Sequence, residues 1–110
     1  MLPDTLSKIE ERVRNASSIS AQQRTELLGL LATLKSEVFT LSDAHQDEAQ
    51  SIAGFTAVSA HEATRDARNP ELVELSIKGL SHSVGGFEES HPKLVQAVNS
   101  ICTILSNLGI

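Results

Sequence analysis

Four histidines and a single cysteine are the side chains in this 110-residue chain best suited to metal or nucleophilic chemistry. Glu88 and His91 have the Glu-x-x-His spacing used in di-iron helical bundles, but such a site needs two copies of the motif and further inward carboxylates. Only one copy is present, and it falls at a helix end. His45 and Glu48 share one helix face, yet two ligands do not make a metal site. The neighbours His61 and Glu62 point in different directions around a helix, and His82 lies off its apolar seam. Cys102 follows a seam residue late in its helix, far from the helix N-terminus or neighbouring base that would activate a thiol. It reads as a small apolar packing group. Gly85-Gly86 lacks the lysine and the strand context of a phosphate cradle, and no Ser/His/Asp order or Cys-x-x-Cys pair occurs. The sequence thus assigns no catalytic residue, no metal ligand set and no cofactor, and the chain is expected not to be an enzyme.

The elements that carry these residues are written in the apolar spacing. Leu94, Val98, Ile101, Leu105 and Leu108 recur in steps of four, three, four and three, a helix seam and not a strand alternation. Pro92 fits the first turn of that helix, with His91 as its N-cap. At its end Gly109 suits the left-handed closing position, which lays Ile110 against Leu105. The same seam runs through Leu27, Leu31, Leu34, Val38 and Leu41, preceded by Ser20 and Gln23 at capping-box spacing. It recurs in Val73, Ile77, Leu80, Val84 and Phe87, behind the N-cap and proline pair Asn69-Pro70. Because this seam keeps phase across Gly85-Gly86, the helix is expected to reach about Glu89. The short turn at Ser90-His91 then makes an antiparallel hairpin with the last helix, and that hairpin is expected to form the main core.

The remaining segments are less sharply written. Met1 to Ser17 forms a short helix through Leu6, Ile9, Val13 and Ala16, with Glu10, Glu11, Arg12 and Arg14 on a solvated face. Asp43 and Gln46 are spaced to cap a new helix, yet no glycine or proline interrupts the chain from Leu30 to Ala53. One long helix or two therefore both fit residues 21–68. From Gln46 to Arg68 the large apolar residues Ile52, Phe55 and Val58 are scattered, whereas Ala49, Ala53, Ala57, Ala60, Ala63 or Thr64, and Ala67 form a small-residue stripe. Such a face allows close helix approach but buries little area per residue, so this helix is expected to be the least stably held.

The run Phe87-Glu88, then Ser90-His91-Pro92 and Leu94, ending in Leu108-Gly109-Ile110, resembles the C-terminal signature of a family of small bacterial proteins. That family is catalogued as domain of unknown function 4404. The resemblance implies a bacterial, intracellular, helical protein and supplies no activity and no site residues.

Composition narrows the function classes. A net charge of −5 and a pI near 5.2 disfavour nucleic acid and anionic membrane as partners. No apolar run is long enough to span a bilayer, the first residues lack a signal-peptide pattern, and a lone cysteine suits a reducing compartment. A cytoplasmic location is expected. With three Phe and no Trp or Tyr, the chain lacks the largest contributors to a core.

These readings give an all-α fold, an antiparallel helical bundle or coiled-coil-like set of hairpins with four or five helices. Residues 1–42 form an N-terminal hairpin, 43–69 an alanine-rich middle helix and 70–110 a C-terminal hairpin. The function expected is a non-enzymatic, self-associating scaffold or protein-interaction module. Its partner is a second copy of the chain, a dimer first, with another protein as the further possibility. The interface candidates are Leu27, Leu31, Leu34, Leu94, Val98, Ile101 and Leu105. The contrasting reading is a small-molecule- or metal-binding bundle involving His45, His61 or Glu62.

Overall fold

The computed structural model describes residues 2–108, and the closing contact of Ile110 after Gly109 lies outside them. Five helices follow one another: α1 (Leu2–Asn15), α2 (Ala21–Leu41), α3 (Gln46–Thr64), α4 (Pro70–Ser83) and α5 (Pro92–Leu108). No strand occurs among the described residues. The apolar seams bury as their spacing requires. Leu27, Leu31, Leu34, Val38 and Leu41 on α2, and Leu94, Val98, Ile101 and Leu105 on α5, are each at most 1% exposed.

The helix starts obey local capping chemistry. Ser20 Oγ accepts from the Gln23 N–H at 3.2 Å while Gln23 Oε1 accepts from the Ser20 N–H at 3.3 Å, which satisfies two otherwise unpaired donors. Asn69 Oδ1 accepts from the N–H groups of Glu71 and Leu72 ahead of the first α4 turn. At the α2–α3 joint the chain does break, and two helices form. The residue ahead of α3 is His45 and not Asp43, and its side chain makes no capping bond. Asp47 and Glu48 in the first turn complement the helix dipole there.

Two boundaries fall short of the seam. α4 stops at Ser83, because Gly86 adopts φ +94° and turns the chain, a conformation that glycine enters without Cβ strain. Val84 and Phe87 still bury, but through the turn that follows the helix. α3 ends at Thr64, where Arg65 becomes extended, so Ala67 is exposed and outside the small-residue stripe.

The packing order also departs from the hairpin expectation. α4 packs most extensively on α3 and α5 on α2, while α4 and α5 share a smaller contact. The helix expected to be held most weakly, α3, touches all four others. Its Ala49, Ile52, Ala53, Ala60 and Ala63 are at most 2% exposed. Small inward side chains give up buried area per residue, yet they let neighbouring axes come close on several sides.

The polar face of α1 is not simply solvated. Glu10 is buried and accepts from Lys35 Nζ at 2.7 Å, and Arg12 Nε donates to Thr64 Oγ1 at 3.0 Å. The Arg24 guanidinium binds the α1–α2 connection. It donates to the carbonyls of Val13 at 3.2 Å, Ala16 at 2.6 Å and Ile19 at 3.2 Å, acceptors that run from the last turn of α1 to the residue before the Ser20 cap. Ile19 is thereby held in the core. Arg24→Ala is expected to lower the free energy of unfolding in urea by about 2 kcal/mol, since charged donors to buried acceptors contribute most. Arg14→Ala, which removes an exposed side chain, is expected to change it by less than about 0.5 kcal/mol. Equal effects would contradict this role.

Candidate functional site

The ligand-type side chains are dispersed by the fold. His45 at the α2–α3 joint lies 3.8 Å from Glu48, and His61 near the other end of α3 lies 3.9 Å from Glu62. Glu62 Oε1 also accepts from Arg65 Nη1 at 3.1 Å. His45, His61 and Glu62 therefore do not meet, because most of α3 separates the first from the other two. Glu88 accepts from the Gly86 N–H, whereas His91 lies 2.9 Å from Ser90 Oγ. Both His45 and His91 stand edge-on to the Phe87 ring, with centroids 5.3 and 5.6 Å away, which fixes the α2–α3 joint against the α4–α5 turn. Among the described residues no three His, Cys, Asp or Glu side chains are grouped to hold a metal ion.

The seven interface candidates are all taken up by the core of a single chain. Leu27, Leu31, Leu34, Leu94, Val98, Ile101 and Leu105 are each at most 1% exposed, so a second copy has no access to them in this packing. Their seams form the interior of the single chain.

Two surfaces stand out beside a more open groove between α2 and α5 lined by Leu30, Thr33 and Ile104. A groove of about 860 Å³ opens between α1, α2 and the start of α3, lined by Leu6, Lys35, Val38, Phe39, Asp43 and Gln46. Its lysine already pairs with Glu10. The second surface is the outer face of α3 and α4. Ser59 lies opposite Ser76, its hydroxyl 3.0 Å from the Ser76 carbonyl and 2.7 Å from that of Phe55. The Phe55 ring covers Gly79 so closely that a Cβ there would collide with it. These pairings run in opposite senses, so the two helices are antiparallel and in close contact.

On the outside of that pair stand Phe55 (41% exposed), Val58 (49%), Leu72 (40%) and Leu75 (63%). Gly54, beside Phe55, has nothing within 4 Å of where its Cβ would be. Phe39 apart, these four are the large apolar side chains left exposed among the described residues. Sequence reasoning passed over them. The available signal was surplus: α4 carries Leu72 and Leu75 in addition to a complete seam, and α3 carries Phe55 and Val58 three residues apart.

The arrangement defines a class: an all-α chain of five helices gathered on a small-residue centre, with a flat apolar face outside it. The chain belongs to the family described as domain of unknown function (DUF4404), whose model matches residues 2–110. No curated protein and no solved structure matches it. No described helix is long and apolar enough to cross a membrane.

Cys102 lies between α5 and α4, with Sγ 3.9 Å from the Ile77 carbonyl. Burial pushes its thiol up to about 11, because the thiolate would lose hydration that the pocket does not replace. The thiol is therefore neutral near pH 7. Alkylation of the native protein by iodoacetamide is expected to be slow at pH 8 and to accelerate until about pH 11. An unfolded chain should reach its plateau near the ordinary thiol range. The raised value also means that the fold keeps the thiol's contribution at lower pH and loses it as pH climbs from that range towards 11. A native rate that levels off by pH 9 would contradict the assignment.

Proposed function

We propose that this chain is a non-enzymatic protein-interaction module whose docking surface is the outer face of α3 and α4. The observation that carries the reading is the exposure of Phe55, Val58, Leu72 and Leu75 together on two packed helices. Large apolar side chains exposed side by side, rimmed by polar residues, often mark contact sites. The chain's composition sharpens the point. Of three Phe residues only Phe87 is buried, while Phe39 and Phe55 face water in a protein with no Trp or Tyr. A chain so poor in aromatics would gain stability by burying them. Phe55 instead covers Gly79 from outside and widens the apolar strip.

A photo-crosslinking amino acid placed at Leu75, with position 33 (Thr33, on the α2–α5 groove) as a comparison and the exposed Glu11 on α1 as a second control, tests the reading in the cell. A discrete adduct is expected from position 75, of the chain with itself or with one protein of defined mass, and none from position 33 or 11. Crosslinking from position 75 that is absent, or no stronger than from either of the others, would overturn it.

A further inference from the structure

We infer that the occupant of the α3–α4 face is a second copy of this chain, docked about a two-fold axis at Leu75 with the α4 helices antiparallel. The inference rests on the interaction surface proposed above and names what covers it.

The argument begins with the order of side chains along α4. Glu71, Leu75, Lys78 and His82 are spaced four, three and four apart, so they form one strip along the helix, and all four are exposed. Leu75 is the most exposed apolar side chain of the face, at 63%. Around it the charges are antisymmetric: Glu71 lies one turn before and Lys78 one turn after. An antiparallel copy crossing at Leu75 brings each Glu71 to the partner's Lys78, twice over, while Leu75 meets its own counterpart. This is the self-complementarity that an isologous contact requires. A partner carrying one sign of charge would oppose half of the strip, and a nucleic acid would in addition be repelled by a chain of net charge −5.

The apolar groups obey the same symmetry. Leu72 lies on the α3 side of the strip before the axis, and Gly79, with the Phe55 ring over it, lies after it. Antiparallel docking therefore lays Leu72 on the partner's Phe55, again at two places. The extent is adequate. Helices of 19 and 14 residues side by side offer a face roughly 20 by 25 Å, given ~1.5 Å rise per residue and ~10 Å diameter. A specific interface should bury at least about 1,000 Å² over both partners, and two faces of this footprint supply about that area. Lys78 Nζ already lies 3.1 Å from Glu74, with both side chains about two-thirds exposed. A second carboxylate from the partner would complete a network around it.

Sedimentation of the purified full chain across a concentration series tests this, with Glu71→Lys, Lys78→Glu and the double exchange compared with the unaltered protein. The unaltered chain is expected to form a reversible dimer. Each single change places like charges together at two symmetric contacts and should weaken association at least about tenfold. The double exchange restores opposite charges and should return the dissociation constant to within about threefold of the original. Thermal melts below the dissociation constant report any loss of the fold itself, such as that from a lysine in the first turn of α4. Leu75→Ser provides a second break that leaves the helix ends untouched. A chain that stays monomeric at every concentration overturns the inference, and so does a dimer indifferent to all four variants or one that the double exchange fails to restore. Should the chain be monomeric while position 75 crosslinks to a different protein, the second copy is excluded and the interaction surface stands.

Discussion

Close approach to α3 is the constraint on which the other helices depend. Its inward side chains are mostly alanine, serine and threonine, with Ile52 the one large apolar residue among those buried on it and Glu62 at its end the one charged residue. A helix lined this way cannot supply much hydrophobic area by itself. What it supplies is access: four helices reach it, and the large leucine and isoleucine seams of α2 and α5 close over the remaining space. The buried hydroxyls that come with small polar residues are all satisfied. Thr56 donates to the Ile52 carbonyl and Thr64 to that of Ala60, while Ser59 is shared between Phe55 and Ser76. No buried side-chain oxygen or nitrogen among the described residues lacks a partner, so close packing carries no penalty from an unpaired polar group.

The same economy of side-chain size accounts for the outside. Where α3 and α4 approach through Ser59, Ser76 and Gly79, there is no room between them for the Phe55 ring. The ring lies over the junction and remains partly in water beside Val58, Leu72 and Leu75. The apolar face is thus a consequence of how the centre is built, and its charge order along α4 gives that face a direction.

Much of the architecture was written in the spacing of single residues. The seams of α2 and α5, the Ser20–Gln23 box and the Asn69-Pro70 start are local signals, and the structure keeps them. What failed was inference from one signal to a neighbouring one. The seam from Val73 to Phe87 holds its phase because a turn at Gly86 can bury Val84 and Phe87 as well as a helix would. For the alanine stripe, little buried area per residue points to a weakly held helix, although the number of neighbours that a thin helix admits matters more. Leu27 and Leu94, read as interface candidates, lie in the interior of the single chain, since an apolar seam is also what a core helix with several neighbours needs. The exposed face is only partly legible for a related reason. Leu72 and Leu75 stand off the seam that holds Val73, Ile77 and Leu80, but whether such surplus residues bury is decided by tertiary partners.

Native-state hydrogen exchange of the α3 amides tests the central place of that helix most directly. If α3 holds the others together, the amides of Ala53 to Ala63 exchange only when the whole chain unfolds, as slowly as those of α2 and α5, and with the same denaturant dependence. Exchange of α3 through a smaller, separate opening, while α2 and α5 stay protected, would contradict the account.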